Sequence, residues 1–182
     1  MAQYDGYVSV PHSSYNEWRS NTINNGYNVD YAYGDQCWDF CALLYWQYGL
    51  TLYTGDGTAA GCWILMQNEN AAPPFIAVRG KQNIKRGDIV VLGRTAYNYA
   101  GHICFADEDY NGTDRLNCLG QNQTGSGSGS PVSVNNLGLD AFLGIFRNTN
   151  WDGEPEPTPE TKAKKKDKFP WAVGLNHWYR KK

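Results

Sequence analysis

One cysteine, Cys37, stands between two aspartates in the stretch NVDYAYGDQCWDF, residues 28–40. A thiol becomes a nucleophile when its pKa is lowered, a base lies within reach and a third group orients that base. Cys37 falls at the start of a predicted helix, whose free N–H groups favour a thiolate and can hold an oxyanion. Taken alone, a cysteine more often packs in the core, because free cysteines are among the most buried residues.

The other cysteines fall inside predicted helices or strands, where we expect them to be small buried hydrophobes. They are Cys41, Cys62, Cys104 and Cys118. No pair has the C-x-x-C spacing, and the total of five is odd. The sequence therefore argues against a disulfide framework and against a structural zinc site.

His102 and Asn122 are candidates for the base and for the group that orients it. His102 follows Gly101 at the start of a predicted strand, and it is the one histidine inside the predicted core. Asn122 lies at the end of the next strand, where its amide oxygen can accept the second imidazole N–H and fix the tautomer. Each residue alone has a plainer role, as a hydrogen-bonded histidine or a turn asparagine. Their order after Cys37 favours catalysis.

Oxygen-bearing residues just before Cys37 match the spacing of a calcium loop. A twelve-residue EF-hand frame takes its ligands from positions 1, 3, 5, 7 and 12, with a backbone carbonyl at position 7. In a frame that starts at Asn28, side-chain oxygens come from Asn28, Asp30 and Asp39. Backbone carbonyls come from Ala32 and Gly34. The frame predicts a structural Ca²⁺ site.

The same loop has a simpler interpretation as an Asx-rich turn in which Asp35 caps the following helix. The frame carries Tyr33 where EF-hands have glycine, and Asp39 where they have a bidentate glutamate. Asp39 lies two residues after Cys37 on the predicted helix and so points away from the thiol. That placement suits a metal ligand or an ion-pair partner.

Helical spacing predicts three helices in the first part of the chain. Residues 13–25 form a short helix with a serine cap, and residues 36–48 form a longer one that Gly49 ends. Residues 58–68 form a third helix, which the sequence AAPPF breaks.

Short alternating or β-branched runs follow the predicted helices. They lie at 87–93, 102–108, 115–123 and 144–149, and a Gly/Ser-rich loop lies at 124–131. Helices first and strands afterwards indicate an α+β fold, with N-terminal helices packed on a central antiparallel sheet.

Composition divides the chain into three parts. Residues 1–151 are predicted to form the folded domain. Residues 152–168 are rich in proline and charge and indicate a linker, because they cannot bury enough apolar surface to fold. Residues 169–182 form a short aromatic tail, which could begin a wall-binding module or dock onto another chain.

Four stretches together resemble the CHAP domain (cysteine, histidine-dependent amidohydrolase/peptidase) of bacteriophage endolysins and bacterial cell-wall hydrolases. They are DYAYGDQCWDF, IKRGDIVVL, GHICFA and LGQNQTGSG, within roughly residues 13–150. The resemblance implies a papain-like fold and cleavage of an amide bond in Gram-positive peptidoglycan. It implies either an N-acetylmuramoyl-L-alanine amidase or an endopeptidase.

The resemblance also implies roles for individual residues. Cys37 is the nucleophile, His102 the base and then the acid, and Asn122 the orienting group. Several endolysin CHAP domains are similar in holding Ca²⁺ beside the nucleophile.

One position departs from the family pattern. Many members carry a glutamate two residues before the asparagine, and that residue here is Gly120. A carboxylate holds an imidazolium more strongly than an amide does. Either Asn122 suffices, or catalysis is weaker, or Asp107 or Glu108 on the adjacent run substitutes.

Charge and hydropathy indicate which classes of partner and which location the protein has. A net charge of -2 shows no bias toward nucleic acid. No stretch approaches the ~20 apolar residues of a membrane span. The N-terminus lacks the features of a secretory signal. We expect an endolysin that stays in the host cytoplasm until lysis and then acts on the cell wall. The alternatives are a virion tail-associated hydrolase of the same fold and a non-catalytic, calcium-stabilised wall-binding module.

Overall fold

The computed structural model describes residues 12–123 and 129–151. These residues form helices and an antiparallel sheet, which confirms the predicted α+β class. The predicted linker at 152–168, the tail at 169–182 and most of the predicted loop at 124–131 lie outside the described residues. No helix in the described ranges has the length and apolar character that crossing a membrane requires.

The helices precede the sheet in the chain. They are α1 (Tyr15–Thr22), α2 (Cys37–Gln47), α3 (Gly61–Ile64) and α4 (Gln67–Asn70). The predicted serine cap of α1 is Ser14, whose hydroxyl accepts the Glu17 backbone N–H at 3.1 Å. Trp18 of α1 is fully buried and stacks on Phe40 of α2, with ring centroids 5.3 Å apart. The cap and the stack together fix α1 against α2.

Helix α2 is the central helix of the domain, because most of its residues are buried. Phe40 packs edge-on against Phe105 of the sheet, with ring centroids 5.0 Å apart. Full burial of each such apolar side chain stabilises the fold by about 2 kcal/mol. Gly49, with φ +69°, follows the helix and ends it as predicted. The first residue of α2 is Cys37, so the packing that fixes the helix axis also fixes the thiol.

The predicted helix at 58–68 is wrong in extent, because two short helices, α3 and α4, occupy this region. The buried side chain of Asn70 accounts for the break. It accepts the Tyr53 N–H at 2.8 Å and donates to the carbonyls of Tyr53 and Cys62 at 2.8 and 2.9 Å. These bonds turn the chain back on itself, a constraint that helical spacing does not carry.

The strands form one antiparallel sheet of six, in the order β1-β6-β2-β3-β4-β5. They are β1 (Phe75–Val78), β2 (Ile89–Leu92), β3 (His102–Ala106), β4 (Arg115–Gly120), β5 (Ser133–Gly138) and β6 (Phe142–Asn148). The predicted strands are confirmed as β2, β3, β4 and β6. Strands β1 and β5 were not predicted, and both are edges of the sheet.

The sheet has two faces, and β3 contributes to both. Ile103 and Phe105 point to the face that packs on α2. Cys104 and Ala106 point to the opposite face, and because side chains alternate along a strand, His102 shares that face.

The cysteines predicted to be buried are all buried: Cys41, Cys62, Cys104 and Cys118.

Candidate active site

Cys37 is half-buried at the N-terminus of α2 and lines a cavity of about 350 Å³ together with Tyr33 and Trp38. The backbone N–H groups of Ile103 and Trp38 lie near its sulfur and lower the pKa of the thiol. Burial raises the pKa of the thiol above its ordinary value, and these N–H groups lower the pKa only in part. The backbone N–H groups thus act in the predicted direction, and desolvation outweighs them.

His102 is the first residue of β3 and is 9% exposed. Burial lowers the pKa of its imidazole to about 4, so the ring is neutral at neutral pH. Gly101 precedes it with φ +71°, and a Cβ at that position would lie 2.5 Å from the Leu92 carbonyl oxygen. Glycine is therefore required where the chain turns His102 into register with Leu92.

Cys37 and His102 are brought together at the start of β3. The paired residues of β3 and β4 begin at Phe105, which leaves the start of β3 outside that ladder. The backbone N–H of Ile103, next to His102, lies instead near the Cys37 sulfur and lowers the pKa of the thiol. The Ile103 backbone thus connects the thiol to the imidazole. Among the described residues, the two side chains share no direct hydrogen bond.

The His102 imidazole lines a second cavity, of about 520 Å³, together with Asn122. Asn122 has φ 51° and donates its Nδ2–H to the Gln36 Oε1 atom at 2.8 Å. The Nε2 atom of His102 and the Oδ1 atom of Asn122 are both buried without a partner among the described residues. The structure thus places the predicted base and its orienting group in one cavity, with the hydrogen bond between them not formed.

Two glutamines that the motif does not single out connect these groups. Gln121 is fully buried, accepts the Tyr27 N–H at 2.7 Å, and donates to the carbonyls of Tyr27 and Gln36 at 2.9 and 3.0 Å. Gln36 also donates its side-chain N–H to the Tyr33 carbonyl at 2.6 Å. These bonds tie the end of β4 to the loop before Cys37. The sequence could have indicated these two glutamines only by their positions, directly before Cys37 and directly before Asn122.

A family model described as the CHAP domain matches residues 26–122. That span is just over half of the 182 residues and contains Cys37, His102 and Asn122. The chain belongs to the CHAP domain family. This membership confirms the resemblance that the sequence motifs predict.

A solved structure gives the same fold. The chain is similar to the crystal structure of a wild-type endolysin, LysIME-EF1, with a TM-score of 0.63 and 24% identity over 77% of this chain and 66% of that chain. The chain thus spans just under two thirds of that endolysin. Similarity to a crystal structure of Ly7917 is lower, with a TM-score of 0.49 and 20% identity over 75% of this chain and 63% of that chain. A comparison with curated proteins finds no match.

The space beside the position where many CHAP domains carry a glutamate is occupied by Gln123 here. A Cβ at Gly120 would lie 2.4 Å from Gln123 Nε2 and 3.0 Å from Cys104 Cβ. The space that a longer side chain would enter is therefore filled by the amide of Gln123, which lines the same cavity as His102 and Asn122.

The carboxylates of Asp107 and Glu108 do not substitute for that glutamate, because both have other partners. Asp107 accepts the Tyr15 hydroxyl at 2.9 Å and the Arg19 guanidinium at 2.7 Å. Glu108 accepts the backbone and side-chain N–H groups of Asn117 at 2.9 and 3.0 Å. Neither residue is among the described residues that line the cavity of His102 and Asn122.

The buried carboxylate of Asp39 organises the loop before Cys37. Its Oδ1 atom accepts the Val29 N–H at 2.8 Å, and its Oδ2 atom accepts the Gln36 N–H at 3.0 Å. Gln36, not Asp35, is the N-cap residue of α2, so the predicted cap is wrong by one residue. Burial raises the pKa of Asp39 to about 6, opposed in part by the backbone N–H groups.

The donor set of the predicted calcium loop fits a hard cation in part. The Oδ1 atom of Asn28 is buried with no partner in the described ranges, and the charge of Asp30 adds to the cost of ionising Asp39. No cluster of three or more His, Cys, Asp or Glu side chains suited to a metal occurs among the described residues. A cation here would depend on Asn28 and on the carbonyls of Ala32 and Gly34 besides the two aspartates, all of them oxygen ligands of the kind Ca²⁺ takes.

Proposed function

We propose that this CHAP domain is an endolysin that hydrolyses an amide bond in Gram-positive bacterial peptidoglycan. Cys37 is the nucleophile, His102 transfers protons, and Asn122 orients the imidazole. The observation that carries the proposal is that both groups belong to the start of β3. His102 is its first residue, and the backbone of Ile103, the next residue, lies close enough to the Cys37 thiol to lower its pKa.

In the free domain the thiol and the imidazole are both neutral, since burial raises the pKa of Cys37 and lowers that of His102. The proton therefore moves during the attack. As the sulfur adds to the substrate carbonyl carbon, His102 takes the thiol proton. Backbone N–H groups in the first turn of α2 hold the developing oxyanion. Catalytic hydrogen bonds that are open in a free enzyme commonly close when substrate binds.

The burial of His102 favours the second proton transfer. A buried imidazolium is costly, so His102 passes its proton to the leaving nitrogen as the C–N bond breaks. A thioester on Cys37 and a free amine remain. Neutral His102 then takes a proton from water, the resulting hydroxide attacks the thioester, and the acid and the Cys37 thiol are released.

The two cavities orient the substrate. The acyl part is attached to Cys37 and occupies the cavity lined by Tyr33 and Trp38. The leaving amine must lie on the His102 side, in the cavity that Asp140 and Tyr97 also line. The carboxylate of Asp140 favours a substrate that carries a cationic group beyond the scissile nitrogen.

We also propose that Asn28, Asp30 and Asp39, with the carbonyls of Ala32 and Gly34, bind Ca²⁺. When bound, the ion supplies positive charge that offsets the two carboxylates, and takes no part in the bond-breaking steps. Asp39 and Gln36 then hold the start of α2, and with it Cys37, in place.

Lysis of purified Gram-positive cell walls by the full chain tests the proposal. Cys37→Ala should lower the rate at least about a thousandfold, as removal of a catalytic nucleophile does. Cys62→Ala, which removes a buried thiol outside the site, should keep the rate. Lysis by Cys37→Ala at the unmodified rate would overturn the role of Cys37, and no lysis by either protein would favour a non-catalytic wall-binding module.

Mass spectrometry of the released wall fragments distinguishes the two candidate activities. A new free L-alanine amine on the peptide stem identifies an N-acetylmuramoyl-L-alanine amidase, and a new terminus within the stem or bridge identifies an endopeptidase. Fragments identical to those of the Cys37→Ala digest would contradict hydrolysis by this domain.

A further inference from the structure

Gly120 has a steric role rather than a conformational one. It is not among the glycines with positive φ, so its backbone is open to other residues. A Cβ there would lie 2.4 Å from Gln123 Nε2, so any side chain at this position would displace the Gln123 amide. The glycine therefore makes room for the amide of Gln123 against the face of the sheet that carries Cys104 and His102.

The amide of Gln123 is held in one orientation. Its Nε2 atom donates to the carbonyls of Cys118 and Ser133, each at 3.3 Å. Exchanging oxygen and nitrogen would place an acceptor against these two carbonyls, so the orientation follows from the contacts. The Oε1 atom is consequently turned away from β4 and β5. It is buried and has no partner among the described residues.

The ring nitrogen Nε2 of His102 lies in the same cavity and is a possible donor to this oxygen. Gln123 and His102 both line it, and the Nε2 atom of His102 is buried without a partner in the described ranges. Buried polar groups are nearly always hydrogen-bonded, so a buried acceptor and a buried ring nitrogen left open together indicate a bond that forms at another stage. Asn122 Oδ1 is the second open acceptor there.

We propose that Gln123 is a positioning residue that accepts the Nε2–H of His102 and shares this role with Asn122. The proposal rests on the proposed function of Cys37 and His102. With its Nε2–H held by Gln123, the neutral imidazole presents Nδ1 as the proton acceptor for the Cys37 thiol. This role explains the glycine at position 120. The orienting group reaches His102 from position 123, and its amide occupies the space that a side chain at position 120 would fill.

Gln123→Met tests the acceptor, since methionine keeps the length of the side chain without the amide. On a soluble wall fragment we expect kcat to fall about tenfold or more, with KM unchanged, as for other residues that orient a catalytic group. Gln82→Ala, an exposed glutamine remote from the cavity, is the matched control and should leave kcat unchanged. An unchanged kcat for a folded Gln123→Met would overturn the proposal.

The double variant Gly120→Glu with Gln123→Ala tests the role independently of stability. Removing the Gln123 amide frees the space, and the new carboxylate supplies an acceptor for His102. We expect kcat to recover severalfold over Gln123→Ala alone. The acid limb of the kcat profile should move to higher pH, because a carboxylate stabilises the imidazolium. Among the described residues, Asp140 is the one charged side chain that lines this cavity, and it is the same in every variant.

A folded double variant with the activity and pH profile of Gln123→Ala would show that Gln123 only packs. Cys37→Ala is measured alongside. If it retains activity, the proposed function fails. If it is inactive while Gln123→Met is fully active, only the role of Gln123 fails.

Discussion

The two sides of the candidate active site differ in how their polar groups are paired. The nucleophile side comprises Cys37 and the loop at residues 27–36, and the base side comprises His102, Asn122 and Gln123. On the nucleophile side, Asp39 and Gln121 bind the backbone of the loop through several hydrogen bonds, and the buried Asn28 Oδ1 atom is the exception without a partner in the described ranges. On the base side, three buried polar atoms have no partner among the described residues: His102 Nε2, Asn122 Oδ1 and Gln123 Oε1.

This difference separates positioning from proton transfer. The nucleophile must occupy one place throughout the reaction, so bonds formed during folding can hold it. The base must gain and lose a proton, so its partners are needed most when it is charged. Leaving them open in the free protein costs stability, which the paired nucleophile side and the aromatic core around Phe40 and Phe105 offset.

The largest expected effect is the pH dependence of stability from the base side. The pKa of His102 is about 4 in the folded protein and 6.5 ordinarily, so the unfolded chain binds the proton more tightly. Stability is therefore lost as pH falls from 6.5 to 4, by about 3 kcal/mol at 1.36 kcal/mol per pKa unit. Urea unfolding at stepped pH should show this loss in the unmodified chain and not in His102→Gln.

Asp39 contributes with the opposite sign in the same range, because its pKa is raised from 3.8 to about 6. Its contribution increases stability as pH falls from 6 to 3.8. The unmodified chain and His102→Gln both retain Asp39. The difference between their free energies of unfolding at each pH therefore reports on His102 alone. Parallel curves for the unmodified chain and His102→Gln would contradict the burial of a neutral imidazole.

The next effect concerns the nucleophile side. Asp39→Ala removes the acceptor for the N–H groups of Val29 and Gln36, and we expect a loss of about 2 to 3 kcal/mol in the free energy of unfolding. Because the loop also positions Cys37, alkylation of the thiol should become faster. Asp114→Ala, an exposed partner of Lys81, is the control and should change stability by less than about 0.5 kcal/mol.

Gln121→Ala should have a somewhat smaller effect, about 2 kcal/mol, through the lost bonds to Tyr27 and Gln36. Its lysis rate should fall as well, since the end of β4 is no longer tied to the residue before Cys37. Thermal unfolding and a wall-lysis assay measure the two effects. A Gln121→Ala protein that loses stability and keeps full activity would show that this tie serves the fold alone.

The smallest expected effect is that of calcium. Free Ca²⁺ at about ten times its dissociation constant should raise the free energy of unfolding by about 1.4 kcal/mol. The corresponding rise in melting temperature is a few degrees for a domain of this size. Asp30→Ala should abolish the increment, and Mg²⁺ should not replace Ca²⁺. Melting curves that coincide in Ca²⁺ and in EDTA would exclude the loop as a cation site.

The predicted elements show where sequence patterns suffice. Helix α2 and the central strands β2, β3 and β6 carry dense apolar runs, and burial alone selects their conformation. The unpredicted β5, with the sequence SVNNLG, is half-buried and rich in asparagine. It becomes a strand because it pairs with β4 over six residues, from Arg115↔Gly138 to Gly120↔Ser133.

The sequence by itself determined the chemistry that is present: a thiol at a helix start, a histidine after a glycine at a strand start and an asparagine at the end of the next strand. Residue type and local spacing carry that information. The tertiary structure decided the directions in which the pKa values of Cys37 and His102 shift, the approach of the Ile103 backbone to the thiol, and the position of Gln123 in the space beside Gly120. These depend on burial and on contacts between residues far apart in the chain, which local patterns do not encode.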